Sequence, residues 1–323
     1  MMGRALVDVA VETGCDAVKF QTYRSETVYV EDAGESNYLA AVGIRRSINQ
    51  IFDDLAMPYE LVEQLAAYAG ERGIRFMSTP FSPDDVDAVD PFVMLHKIAS
   101  YEISHTTLLA HVARKGKPVI ISSGASTLDD IEFALDHLRD HGAPQVAVLQ
   151  CTAKYPTPLA MVNTRVVETL RNRFGVPVGL SDHSREPTAA PAAAVALGAS
   201  IIEKHYTLDN RLPGPDHSFA LTPSELGAMV RAVRDIEACL GDDRKDVGEA
   251  ERELAEFARR GLQATRTINV GDALALGDNV EILRPGNKRL GLHPRYLPKI
   301  EGRRARRRVV LGDGIDWDDF DDG

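Results

Sequence analysis

Gly179-Leu-Ser-Asp-His183 and, one helical stretch further on, Ile202-Glu-Lys-His205-Tyr206 decide how this chain is read. Each lies at the end of a short apolar run of the kind that forms a strand buried on both faces. Each run delivers a histidine. The Ala-rich residues 188–197 between them read as a helix. Strand, helix, strand is a parallel βαβ unit, so both histidines are delivered to the same open end of one sheet.

The alternation extends towards the amino end. Short strands are expected at Asp16–Phe20, Arg75–Thr79, Met94–Ala99, Pro118–Ser122, Gln145–Cys151, Pro177–Leu180 and Ser200–His205. Helices are expected at about 1–12, 58–72, 105–114, 128–139 and 164–174. Ser82-Pro-Asp-Asp opens a further helix with an N-cap, a first-turn proline and first-turn acids. Thr222-Pro-Ser-Glu225 is a capping box that opens a long helix ending at Gly241. Residues 24–57 are polar and irregular, a loop of functional length.

Seven parallel strands are one short of a closed (β/α)8 TIM barrel. An open doubly wound sheet is the competitor, but no strand runs into its helix through Gly-x-Gly-x-x-Gly. Polar residues instead cluster at nearly every strand's carboxyl end, and a barrel converges those ends on one mouth. The expected fold is therefore a TIM barrel lacking its first strand in this sequence, over residues 1–240. Residues 241–261 are a charged linker of helical pattern. Residues 262–323, with short β-type segments and glycine turns, form a small mostly-β domain.

Composition narrows the function classes. The 323 residues carry a net charge of −11 with 44% hydrophobic residues, which argues against a nucleic-acid partner and for a well-filled core. The basic run Arg303–Arg308 reads as a solvated helix face or an anion-facing surface. No apolar stretch has the length of a membrane span, and the opening residues read as an amphipathic helix rather than a secretory signal. Cys15, Cys151 and Cys239 are too scattered for a disulfide or metal pattern, so reduced thiols in a cytoplasmic protein are expected.

The strand ends hold the chemistry. Lys19 and Lys97 sit where a lysine is costly unless it faces a polar cavity, an acid or an anion. With Ser100, Ser122 and Ser181 they describe a phosphate pocket, although any one of these serines could simply cap a helix. His183 and His205 could each be core histidines bonded to backbone. As a pair beside Asp182 and Glu203 they point to an open divalent-metal site, suited to Mn²⁺ or Mg²⁺. Tyr155-Pro-Thr-Pro fixes a tyrosine near the mouth. Leu212-Pro-Gly-Pro-Asp216 is either a plain turn or a rigid arm holding an acid there.

Lys19-Phe-Gln-Thr, Ser78-Thr-Pro-Phe, Lys97-Ile-Ala-Ser-Tyr-Glu, Ser122-Ser-Gly, Cys151-Thr-Ala-Lys-Tyr-Pro-Thr-Pro, Gly179-Leu-Ser-Asp-His, Glu203-Lys-His-Tyr and Pro213-Gly-Pro-Asp-His follow in this order. Together they resemble the N-acetylneuraminate (sialic acid) synthase family. The piece around Arg284-Pro-Gly-Asn resembles that family's antifreeze-like SAF domain. The resemblance implies condensation of phosphoenolpyruvate with N-acetylmannosamine or a related N-acyl amino sugar, for surface glycan biosynthesis. Legionaminate, pseudaminate or N-acylneuraminate-9-phosphate synthesis are the variants it allows.

It further implies that Lys19, Lys97, Ser100, Ser122 and Ser181 hold phosphoenolpyruvate and that His183 and His205 hold the metal. Gln21, Glu102, Tyr155 and Asp216 would contact the sugar, and Arg284 would reach its N-acyl group from the partner subunit of a domain-swapped homodimer. Lys19, Gln21, Lys97, Tyr155 and Asp216 would be the catalytic set. Three departures stand out. No residue matches the family's Glu-Ile-Gly-type first-strand motif, which leaves open a sugar-binding or scaffold protein with crippled catalysis. Ala153 stands where an Asn or Ser is usual, and Asn287-Lys288 follows Arg284-Pro-Gly where a second glycine is usual.

Overall fold

The structure is a computed structural model that describes residues 2–36, 39–40 and 44–321. The chain divides into two compact units, Met1–Gly241 and Asp242–Gly323. In the first unit, α1 (Met2–Glu12) leads into β1 (Ala17–Thr22), which pairs in parallel with β2 (Arg75–Pro80). Between them lie α2 (Ser25–Val28), α3 (Ile48–Leu55) and α4 (Tyr59–Glu71). The loop expected over 24–57 therefore contains helical turns, of which α3 is anchored by Ile48 and Ile51 in a small cluster with Leu39.

After α5 (Pro83–Val89), strands β3 (His96–Ile98), β4 (Val119–Ser122), β5 (Val146–Cys151), β6 (Val178–Asp182) and β7 (Ile201–Lys204) pair in parallel in chain order. β3 lies beside β2. Single helices join the strands of this curled sheet: α6 (Thr106–Arg114), α7 (Leu128–Asp140), α8 (Val166–Phe174) and α9 (Ala189–Ala196). The N-cap of α7 is Thr127. Its hydroxyl accepts from the Asp130 amide, and the Asp130 carboxylate accepts from the Thr127 amide. The final helix of the unit, α10 (Pro223–Leu240), starts as expected, with the Glu225 carboxylate accepting from the Thr222 amide at 2.8 Å.

Alternation along the strands sorts the side chains. Val119, Ile121, Val148, Val178 and Leu180 face the helices and join the largest apolar cluster. Ile120, Ala147, Leu149 and Ile201 turn to the opposite, concave face with Met77 and Leu95. Gly179 is required there: a Cβ on it would stand 2.2 Å from the Ile201 carbonyl oxygen and 2.6 Å from Leu149.

Among the described residues the ladder is interrupted between β2 and β3, and β1 and β7 are open edges: β1 pairs with β2 alone and β7 with β6 alone. β4 and β6 are buried throughout, whereas β7 is half-buried at every residue. The helical layer is nonetheless continuous across the gap. Val9 of α1 packs with Leu226, Met229 and Val230 of α10. The Tyr206 hydroxyl donates to the Leu6 carbonyl at 2.8 Å, and Arg234 pairs with Asp16. A cavity of about 610 Å³ lies inside it, lined by β1, β7 and α10.

The second unit begins with α11 (Arg252–Ala258), so the expected linker is partly helical. β8 (Gly261–Ala264) and β9 (Val280–Leu283) form an antiparallel pair. Ile268 bridges Val309. Leu262, Ile268, Val280, Ile300, Ile315 and Phe320 make this unit's core. The basic run is not a helix face. Arg304 donates to the Gly271 carbonyl and Arg303 to the Asp321 carbonyl, while Arg307 pairs with buried Asp319. Among the described residues the run's ion pair is that of Arg307 with Asp319. No helix among the described residues is long and apolar enough to cross a membrane.

Candidate functional site

β1 and β3 present their lysines because Val18 and Phe20, and Ile98, take the helix-facing positions. Lys19 and Lys97 are thereby turned to the concave face. The Lys97 side chain is 2% exposed. Its Nζ donates to Ser122 Oγ at 2.7 Å and to the Ile98 carbonyl at 2.9 Å. Glu203 faces both lysines, with Oε1 3.7 Å from Lys19 Nζ and Oε2 3.7 Å from Lys97 Nζ. Burial pulls the Lys97 pKa down and the Glu203 charge opposes it. Burial likewise works against the Glu203 carboxylate, yet Lys19 and Lys97 overcome it and hold its pKa at about 2. Ser181 Oγ donates to Glu203 Oε1 at 3.4 Å. Two ammonium groups, two hydroxyls and one carboxylate thus meet on the concave face.

His183 and His205 follow β6 and β7, which pair with Ser181 opposite Glu203 and Asp182 opposite Lys204. The rings come to 5.3 Å between centroids, inclined at 68°. His183 Nδ1 lies 3.0 Å from the Thr152 carbonyl oxygen. A carbonyl only accepts, so the neutral ring carries its proton on Nδ1 and its lone pair on Nε2. Burial, and then the neighbouring His205, push the His183 pKa down to about 4. The ring is therefore neutral near pH 7 and presents its lone pair at Nε2. His205 Nδ1 lies 3.5 Å from Asp216 Oδ2, so the turn at 212–216 does bring its acid to the histidines. Tyr155 stacks at 4.1 Å from the His183 ring, and Phe219 closes the other side at 5.4 Å from Tyr155.

Other expected residues lie close by. Ser100 Oγ accepts from the Gly124 amide at 2.9 Å and donates to Cys151 Sγ at 3.5 Å. Cys151 is buried, and burial raises its pKa; the thiol packs rather than reacts. Gln21, next to last in β1, lines the same cavity as Lys19, Glu203, His205 and Asp216. Glu102 sits in the turn after β3 with Oε2 buried and without a hydrogen-bond partner. Burial raises its pKa to about 7. Arg284 belongs to the second unit, where it is exposed at the end of β9.

Sequence reasoning named Glu203 only as a neighbour of the histidines. Period-two alternation puts Glu203 and His205 on one face, and that signal identifies it as the residue facing both lysines. The buried pair of Asp182 and Lys204, one step along each strand, was not read as a contact at all.

A two-imidazole site with a fixed Nδ1–H tautomer suits a divalent cation. Among the described residues no three His, Cys, Asp or Glu side chains gather tightly enough to hold an ion by themselves. The remaining positions would fall to water and substrate.

Fold and site together define a parallel α/β protein whose strand ends surround a histidine-flanked cleft holding two lysines and a carboxylate. The NeuB family model matches residues 6–245, and the chain belongs to that family. The SAF domain model matches residues 259–321. The chain is 41% identical to the spore coat polysaccharide biosynthesis protein SpsE of Bacillus subtilis, over 98% of this chain and 88% of that one. It is 33% identical to a pseudaminic acid synthase of Campylobacter jejuni, over 97% and 90%. The crystal structure of the N-acetylneuraminic acid synthetase of Leptospira borgpetersenii, in complex with citrate, superposes with a TM-score of 0.69 at 31% identity, over 78% and 84%.

Proposed function

We propose that this protein condenses phosphoenolpyruvate with the open-chain aldehyde of an N-acyl amino sugar, N-acetylmannosamine or a close relative. The products are a sialic-acid-type nonulosonic acid and inorganic phosphate. The observation that carries the reading is the juxtaposition of Lys19 and Lys97, both facing Glu203, with the His183–His205 pair. Named relatives that make pseudaminic acid, N,N'-diacetyllegionaminic acid and N-acetylneuraminate-9-phosphate support the reaction class.

The chain's own residues divide the work. Lys19 and Lys97, with Ser100, Ser122 and Ser181, would hold the trianionic phosphoenolpyruvate, exchanging their contact with Glu203 for phosphate and carboxylate oxygens. His183 and His205 would hold Mn²⁺ or Mg²⁺. When bound, the ion supplies Lewis acidity towards an aldehyde oxygen. Gln21, Glu102, Tyr155 and Asp216 would orient the sugar so that its C1 faces C3 of phosphoenolpyruvate. C3 attacks C1, water adds at C2, and the C2–O bond to phosphate breaks. The lysines hold the departing phosphate. Arg284, from the partner subunit of a domain-swapped homodimer, would bind the N-acyl group.

The same reading takes the curled sheet as a (β/α)8 barrel with an eighth parallel strand belonging in the gap between β1 and β7. Two open edges under a continuous helical layer support it.

The test is phosphate release from phosphoenolpyruvate with N-acetylmannosamine and with the diacetamido sugars that lead to pseudaminic and legionaminic acids, each with Mn²⁺ and with EDTA. Sugar-dependent, EDTA-sensitive release is expected. Release indifferent to both sugar and metal rejects the proposal.

A further inference from the structure

Behind the histidines, on the face of the sheet away from the cleft, lies a fully buried ion pair. Lys204 and Asp182 are cross-strand neighbours on β7 and β6, with side chains 2% and 0% exposed. Lys204 Nζ also donates to the Ser184 carbonyl at 2.6 Å, to Ser184 Oγ at 3.2 Å and to the Glu186 carbonyl at 3.2 Å. The Asp182 carboxylate accepts from the Ser184 amide at 2.8 Å and from Ser184 Oγ at 2.9 Å. His183 is thus bracketed: the residue before it binds the residue after it, and its own carbonyl accepts from the Thr157 amide at 2.9 Å. Lys204, which holds this knot together, is joined by one peptide bond to His205.

The location is chemically odd. This face of the sheet meets the helices chiefly through valine, leucine and isoleucine, and its other buried polar groups, Thr22 with Ser78 and Gln150 with the Val162 carbonyl, are uncharged. Two buried charges give less stability than an apolar pair of similar volume, because each must shed its water. A charged knot in that place gives a directed, many-point hold that apolar contacts cannot.

We propose that Lys204 and Asp182 are positioning residues that fix the spacing and ring orientation of His183 and His205 from behind. The proposal rests on the reading of those histidines as the metal-holding pair. Residues that orient metal-binding histidines typically change affinity about 10- to 100-fold when altered.

The test compares the full-length protein with Lys204→Met and with the double variant Lys204→Met/Asp182→Asn. The single variant strands a buried carboxylate. The double variant is charge-neutral and keeps an acceptor for the Ser184 amide. Thermal unfolding, Mn²⁺ titration calorimetry and long-range ¹H–¹⁵N spectra of the imidazoles are measured on each. The double variant is expected to unfold near the wild-type temperature, to bind Mn²⁺ about 10- to 100-fold more weakly, and to lose the single Nδ1–H tautomer of His183. Wild-type Mn²⁺ affinity with an unchanged His183 spectrum in the double variant overturns the proposal. So does a double variant that fails to fold, which would make the pair a strut for the fold alone. If the wild-type protein binds no Mn²⁺, the metal reading falls, and the His183 spectrum still decides whether the pair positions the ring.

Discussion

At the scale of single residues, most of the cleft was legible because charged residues in buried strands demand an explanation. Lys97 is the sharpest case. Replacing it by methionine should leave Glu203 with Lys19 alone and cost phosphoenolpyruvate binding about 100-fold or more, as removal of a buried charged partner does; equilibrium titration with phosphoenolpyruvate measures it. Glu102 makes a pH-dependent case. Its folded pKa of about 7 lies above the ordinary 4.5, so the folded state holds the proton more tightly than the unfolded chain. Below about pH 4.5 both states are protonated and nothing is lost. Between about 4.5 and 7 stability should fall as pH rises, by a few kcal/mol, and stay lower above that window. Glu102→Gln should flatten that slope in denaturant titrations across the window. An unchanged slope would show that the carboxyl is solvated in solution.

At the scale of elements, strand order followed from strict alternation of strand and helix, but strand edges did not. Gly179 reads in the sequence as one more small residue in an apolar run. Its necessity comes from a carbonyl on the neighbouring strand. Gly179→Val should destabilise the first unit by roughly 1–3 kcal/mol or more through overpacking, read as a lowered urea midpoint. The gap between β1 and β7 makes its own prediction. Hydrogen exchange should be much faster for the gap-facing amides of Ala17–Thr22 and Ile201–Lys204 than for the interior strand β5, whose residues are all buried. Equal protection of all three strands would mean that the edges are already paired in solution.

At the scale of the whole molecule, the two units have separate cores, and the candidate residues are split between them. Arg284 belongs to Asp242–Gly323, and every other candidate to Met1–Gly241. If Arg284 serves a partner's cleft, inactive Arg284→Ala and inactive Lys97→Met proteins should restore activity when unfolded and refolded together. Random pairing leaves one intact cleft in half the dimers, so about a quarter of wild-type turnover is expected. No recovery would place Arg284 in its own chain's cleft or outside any cleft.

What the sequence determined by itself is the repeating strand–helix order, the small second domain, and the residue types gathered at the strand ends. Periodicity and the cost of burying charge are local properties, written in neighbouring residues. Only the tertiary structure decided which of those residues touch. It put Glu203 between two lysines separated from it by more than a hundred residues. It tied Lys204 to Asp182 behind the histidines and drew the basic run of the second unit onto its acidic tail. It also set the tautomer of His183, through a carbonyl on the neighbouring strand. Contacts of this kind depend on register and on curl of the sheet, which no stretch of the chain encodes alone.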